Sequence, residues 1–342
     1  MSAPTIVPAS PAVQQDAKAT YDALHSRVSR LEWPFDGSER PAAASLGGRP
    51  VILAFDGSAE SQAAARVADA MATQLHASVR VVSIIDSSPV PIPYPLDLAI
   101  GIAGESAGGA IHEGQAREVR EQIATVVGHP VDWATTIALD IPADAISREA
   151  SRADAALVVM GLSVHGLIDR AVHQETALSV MRKADGPVLG VAADARGLPS
   201  RALVAMDFSR ASVRAAEAAA ELMATGGVLT LAYVESIVEH PAGTGDGVIH
   251  ALGIEAAFVA LARRLASDVL LVDHVILHHT EPCSPSHILL EYADAMRADL
   301  LAAGSARHGR LDRILLGSVS AELVRAGRCS VLVVPPVQDT SR

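Results

Sequence analysis

The chain states one pattern twice, and that repetition limits the folds open to it more than any other feature. Residues 51–56 read VILAFD and residues 202–207 read ALVAMD, each followed two positions later by a serine, Ser58 or Ser209, and then by an Ala-rich stretch. The copies also close alike: LVVMG at 157–161 and VLGV at 188–191 answer LLAAG at 300–304 and VLVV at 331–334. Asp56 and Asp207 stand 151 positions apart and Gly161 and Gly304 stand 143 apart, so the repeating unit has the length of a domain rather than of a solenoid turn. In a chain of 342 residues this predicts two domains, 49–195 and 200–337, each large enough for its own core. Residues 1–48 form an extension outside the repeat, rich in Pro and Ala. Within it Tyr21, Leu24, Val28 and Leu31 share one face of a helix expected over 14–31, a face that either docks or frays.

Inside each copy, apolar runs of strand length alternate with helical stretches. Strands are expected at 51–55, 79–85, 131–137, 156–161 and 187–192, with helices over 58–74, near 112–126, over 142–152 and over 175–183. The second copy repeats the order with strands near 202–206, 228–234, 270–277, 300–303 and 330–335. Strands that alternate with helices form parallel sheets covered on both faces, so the expected class is α/β: two doubly wound domains, each with a five-stranded parallel sheet. Hydrophobic residues make up 50% of the chain but aromatics only 3%, which calls for cores of Ala, Val, Leu and Ile at close helix-to-sheet distance. Ser58 is the expected N-cap of its helix, although Ser61 stands where a capping box would have Glu or Gln. Pro142 suits a first helical turn.

Charge and cysteine usage exclude several classes. A formal net charge of −12 leaves no general surface for nucleic acid or anionic membrane. Two cysteines, Cys283 and Cys329, provide no disulfide framework and suit a reducing compartment. No run of about 18 apolar residues and no signal-peptide pattern occurs, so a soluble cytoplasmic protein is expected.

These motifs in this order resemble a tandem universal stress protein, two domains of that family fused. The resemblance implies that an aspartate after the first strand meets adenine, while a GxxG-x9-G[ST] segment after the fourth strand holds ribose and phosphates. The second copy carries Gly304-Ser305-Ala306-Arg307, nine further residues, and then Gly317-Ser318-Val319-Ser320, keeping three of the four signature positions. Asp207 is the adenine contact, Val234 packs on the base, and Phe208, Ser209 and Ala303 flank the site. ATP or AMP, with or without magnesium, is the implied ligand. The physics agrees, because ligands of doubly wound sheets lie beyond the strand C-termini and a Gly-Ser entering a helix leaves N–H groups for an anion. Arg307 replaces the second glycine, and its guanidinium either grips phosphate or fills phosphate space.

The first copy departs further. Gly161 is kept, but Val164 replaces the second glycine and Gln174-Glu175-Thr176 replaces the closing Gly-Ser. Glu175 is expected to place a carboxylate at a helix start, where it would repel a triphosphate. The resemblance also implies pairing through last strands, here 187–192 with 330–335 inside one chain as a pseudo-dimer, which would cover two apolar edges. A homodimer of chains and an unidentified protein partner are further expectations.

Other constellations are weaker. His274, His278, His279, Glu281, Cys283 and His287 form the densest run of metal-ligand types, yet strand positions four apart are about 13 Å apart, too far to share one ion. Gly104-Glu105-Ser106-Ala107-Gly108 matches GxSxG inside a Pro/Gly-rich loop, without the strand a nucleophile elbow needs. The Gly-rich segment of the second copy lacks a P-loop lysine, and no base for hydrolysis stands out. The reading is a cytoplasmic stress-response regulator binding an adenine nucleotide in its second domain. An interaction module without nucleotide and a slow ATP hydrolase are the alternatives.

Overall fold

A computed structural model describes residues 46–86, 113–162, 169–236, 245–279, 283–305 and 317–335. The first half runs β1 (Val51–Ala54), α1 (Ala59–Leu75), β2 (Val79–Asp86), α2 (113–127), β3 (Ala134–Asp140), α3 (Pro142–Arg152), β4 (Leu157–Leu162), α4 (Asp169–Lys183) and β5 (Val188–Ala192). The second runs β6 (Arg201–Met206), α5 (Arg210–Leu222), β7 (Gly227–Ser236), α6 (Gly245–Leu265), β8 (Leu270–His279), α7 (Pro285–Met296), β9 (Leu300–Gly304), α8 (Ser318–Ala326) and β10 (Ser330–Val334). The helix expected over 14–31, the GxSxG segment and Glu281 lie outside the described residues.

Each half is the expected five-stranded parallel sheet, but the halves share one ten-stranded sheet in the order β3-β2-β1-β4-β5-β10-β9-β6-β7-β8. The join is the antiparallel pair β5–β10, with Val331 opposite Gly190, Leu332 opposite Leu189 and Val333 opposite Val188. The two last strands therefore pair within the chain, as the pseudo-dimer reading expected. Both strands are buried throughout, so the apolar edges meet each other instead of water.

Helices on both faces explain why the strands read as continuous apolar runs. Ile52 and Leu203 belong to the core on one face, Leu53 and Val204 to the core on the other. Each core extends across both halves. Ala63, Ala64, Ala65 and Ala68 of α1 and Ala215, Ala216, Ala218 and Ala219 of α5 are fully buried, so small side chains let these helices lie close on the sheet.

Two elements are displaced from expectation by three residues or more. β3 lies three positions later than the predicted 131–137, because pairing with β2 runs on to Asp86 opposite Asp140 while Val131 and Trp133 pack against the core ahead of the strand. The last helix of the first half starts at Asp169, six residues before Glu175.

Candidate functional site

The strand order reverses direction of growth between β6 and β9, which pair in parallel with Ala205 opposite Ala303. This switch point is where doubly wound sheets open a crevice at their strand C-termini. Asp207 leaves β6 there, Gly304 ends β9, and Val234 lies one residue beyond Tyr233, the partner of Met206 on β7. The chain topology thus brings Asp207, Val234 and Gly304 to one edge.

The turn after β6 is organised by its own side chains. Ser209 N–H donates to Asp207 Oδ1 at 2.9 Å, Ser212 N–H donates to Ser209 Oγ at 3.2 Å, and Ser212 Oγ donates to Ser209 O at 3.0 Å. The first copy repeats this with Asp56, Ser58 and Ser61, at 2.9, 3.2 and 3.1 Å. Ser58 is the N-cap expected. The missing capping-box acid is replaced by an aspartate upstream of the cap, which takes up the cap N–H; the capping-box spacing does not reveal this device. Asp207 itself is exposed.

The same turn demands a left-handed residue between aspartate and serine. Gly57 meets it with φ +82°, and Phe208 meets it with φ +57°. A phenylalanine there is strained. Burial offsets the strain, since the Phe208 ring lies 5.0 Å from that of Phe258 and 5.8 Å from that of Tyr233. Expected as a flank of the ligand, the Phe208 side chain is instead part of the core beneath α6.

The two signature glycines of the second copy do different things. A Cβ on Gly304 would stand 2.4 Å from Ala211 C and 2.5 Å from Ser212 N, so this glycine lets the first turn of α5 rest against the end of β9. Gly161 is covered in the same way, though a little less tightly, with Glu60 Cβ at 2.7 Å and Ser61 N at 2.8 Å. That packing need explains why both copies keep the glycine although their following segments differ. Among the described residues, a Cβ placed on Gly317 would meet only Ser320 Oγ, at 4.0 Å. It is the N-cap of α8 and offers no side-chain cap, so the N–H groups of Ser318, Val319 and Ser320 have no intrahelical acceptor. Ser320 Oγ donates to Gly304 O at 2.9 Å and fastens this helix start to the end of β9. Ser318 is exposed and Val319 half-buried, whereas Ala303 belongs to the core. Ser305 is wholly buried; its N–H donates to Val334 O at 2.9 Å, and its Oγ has no partner among the described residues. Ala306 and Arg307 lie outside the described residues.

The last helix of the first copy begins earlier than the sequence reading expects. Glu175 does not start a helix. It is an exposed residue in the second turn of α4, and the N–H groups of 175–177 belong to the helical ladder rather than to a free N-terminus. Ala177, the counterpart of Ser320, carries no hydroxyl to tie the helix to Gly161. The copies therefore differ by where their last helix begins, and not by a charge placed at its start. Val164 lies outside the described residues.

The histidines are engaged elsewhere. His274 Nε2 lies 2.9 Å from Glu255 Oε1 with its ring stacked on Phe258 at 4.8 Å, and His278 Nδ1 lies 3.3 Å from Glu235 Oε2. His287 Nδ1 stands 3.8 Å from Glu291 Oε1, and Cys283 is exposed. Among the described residues no group of three His, Cys, Asp or Glu side chains is placed to hold a metal. Burial pushes the Cys329 thiol up to about 12, so it is no thiolate nucleophile at neutral pH. Among the described residues no helix is long and apolar enough to cross a membrane.

Comparison with known proteins adds to this geometry. The sequence pattern of the "Universal stress protein family" matches residues 48–192 and 200–335. A universal stress protein of Mycolicibacterium smegmatis is 29% identical over 301 residues, covering 84% of this chain and 97% of that one. Universal stress protein Rv2005c of Mycobacterium tuberculosis is 28% identical over 297 residues, covering 83% and 96%. Among solved structures, a universal stress protein from Archaeoglobus fulgidus superposes with a TM-score of 0.57 at 19% identity, covering 84% of this chain and 98% of the other, a likeness of fold.

Proposed function

Because the chain belongs to the universal stress protein family, we propose that it is a cytoplasmic stress-response regulator that binds one adenine nucleotide, ATP or AMP, in the domain of residues 200–337. The observation that carries this reading is the start of α8: a helix N-terminus without a side-chain cap, behind a glycine that no described residue crowds, tied to the end of β9. Phosphate oxygens accept the N–H groups of Ser318, Val319 and Ser320 and meet the positive end of the helix dipole. Ser305, buried beside Gly304 with its hydroxyl unpartnered among the described residues, supplies a further donor once a ligand is in place. The exposed carboxylate of Asp207 accepts from the adenine amine, and Val234 packs on the base.

The domain of residues 49–195 acts as structural partner, since its last helix offers no free N-terminus at the corresponding place. Its Asp56-Gly57-Ser58 turn is kept for capping α1. Calorimetric titration of the purified chain with ATP and with AMP, with and without magnesium, tests the reading. Saturable binding that disappears in Gly317→Glu and survives in Glu175→Ser is expected. Silence at millimolar nucleotide, or loss on the Glu175 change, overturns it.

A further inference from the structure

The two copies hold the turn after their first strand by different means. In the first, Gln62 Nε2 donates to the carbonyl of Gly57 at 3.0 Å, so a side chain of α1 ties down the left-handed residue between Asp56 and Ser58. The matching position on α5, at the offset of 151 that relates Asp207 to Asp56, is Val213, whose side chain has no donor to offer. Gly57 is matched by Phe208, a residue type that avoids a φ of +57°. The second copy therefore lacks both the permissive residue and the side-chain tie.

A cluster of rings takes their place. Phe208 is 7% exposed, with its ring centroid 5.8 Å from that of Tyr233 and 5.0 Å, edge to face, from that of the fully buried Phe258. Phe258 stacks in turn on His274, whose Nε2 lies 2.9 Å from Glu255 Oε1. The cluster runs from the turn after β6 across β7 to α6 and β8. Aromatic pairs in such geometries hold their rings more firmly than buried apolar area alone does.

Chain order ties the cluster to the crevice. Asp207 directly precedes Phe208, and Val234 directly follows Tyr233. Asp207 and Val234 are the two residues set against adenine in the nucleotide reading. Asp207 is exposed, and its Oδ1 is held by Ser209 N–H of the same turn, so the carboxylate is only as well placed as the turn itself. The contact between the Phe208 and Tyr233 rings fixes that turn against β7, and with it the spacing of the carboxylate from Val234.

We propose that Phe208 is a positioning residue for base recognition. The proposal rests on the nucleotide reading: packing of the Phe208 ring sets Asp207 to accept from the adenine amine, and the site thereby selects adenine over a purine without that amine. A carboxylate placed to take a donor discriminates against a ligand that lacks it, because the acceptor is then left unmet.

The test titrates the full chain by calorimetry with ATP and with purine riboside triphosphate, which is ATP without its amine. The wild type should prefer ATP by about tenfold, the worth of one hydrogen bond to a charged group. In Phe208→Gly, which restores the residue of the first copy, ATP binding should weaken to the level of the analogue while analogue binding stays unchanged. Phe258→Leu, remote from the turn, keeps apolar bulk but removes the ring, and should narrow the preference in the same way. A merely structural role would weaken both nucleotides alike. Circular dichroism checks that each variant folds, and if Phe208→Gly does not, Phe258→Leu decides. A preference unchanged in the folded variants, or equal binding of the two nucleotides by the wild type, overturns the proposal and leaves the nucleotide reading standing. Absence of binding of either nucleotide by the wild type overturns both.

Discussion

Single residues separate what the signature glycines hold up from what they leave open. Gly304→Ala drives a methyl into the backbone of Ala211 and Ser212, and Gly161→Ala does the same against Glu60 and Ser61. Each is expected to cost about 1–3 kcal/mol by overpacking, read as a lowered denaturation midpoint, whereas Gly317→Ala should be nearly silent for stability. Equal effects at all three positions would contradict the packing role. Away from the site, His129 Nε2 lies 3.0 Å from Asp69 Oδ2 and Nδ1 lies 3.1 Å from Pro130 O. Both acceptors favour the charged ring, and the Asp69 hydrogen bond above all raises its pKa above 6.5. A raised folded-state pKa stabilises fully below the unfolded value and is lost as pH rises through the folded one. His129→Ala should therefore lower stability at pH 5.5 and leave it unchanged near pH 9. An effect that grows with pH would refute the pairing. The repeat and the family resemblance single out Asp207, Gly304 and Gly317, and the structure puts Asp207 and Gly304 just after or at the ends of paired strands and Gly317 at a helix start. The sequence could not place Phe208 or the buried Glu217: nothing in a phenylalanine announces a left-handed backbone, and a lone acid in an Ala-rich helix looks like its solvated face.

At the level of elements, the two copies diverge at one helix boundary. α4 runs from Asp169 to Lys183 and α8 only from Ser318 to Ala326, so the second copy exposes an N-terminus where the first continues its ladder. Strand positions were legible because a buried strand needs only a short apolar run between turn residues. The start of α4 was not, because the register of the second copy's Gly317-Ser318 points to Glu175, while an acid such as Asp169 is as common in a loop as at a helix start. β3 was also placed three residues early, since at a sheet edge the pairing with β2, rather than apolar pattern, sets where a strand lies. The uncapped α8 gives a prediction in which stability and function oppose each other. Gly317→Asp supplies the missing cap at a φ of −56°, compatible with any residue, and should raise stability by a few tenths of a kcal/mol. It should at the same time abolish the proposed nucleotide binding by putting a carboxylate where the phosphate would sit. Thermal unfolding and titration of that one variant check both halves of the statement, and unchanged binding would refute it.

For the whole molecule, the repeat yields two copies that fold as one body. The sheet is continuous through β5 and β10, and Leu189 and Leu332, cross-strand neighbours at the join, share one core with residues of both halves. Splitting the halves would expose both apolar strands, so they should unfold together. In a Trp33→Phe background, Trp133, on the first half and packed against the shared core, reports on its surroundings by fluorescence, while circular dichroism reports on all helices. Coincident denaturant transitions by the two probes are expected, and two separated transitions would refute the shared core. The family resemblance implied the pairing of the last strands, but not that the two cores would merge beneath it.

The central claim is one nucleotide per chain, held by the second copy. Calorimetric stoichiometry measures it most directly: the account predicts about one ATP or AMP bound per 342-residue chain, falling to none in Gly317→Asp. Two bound per chain, or one that persists in that variant, would contradict it.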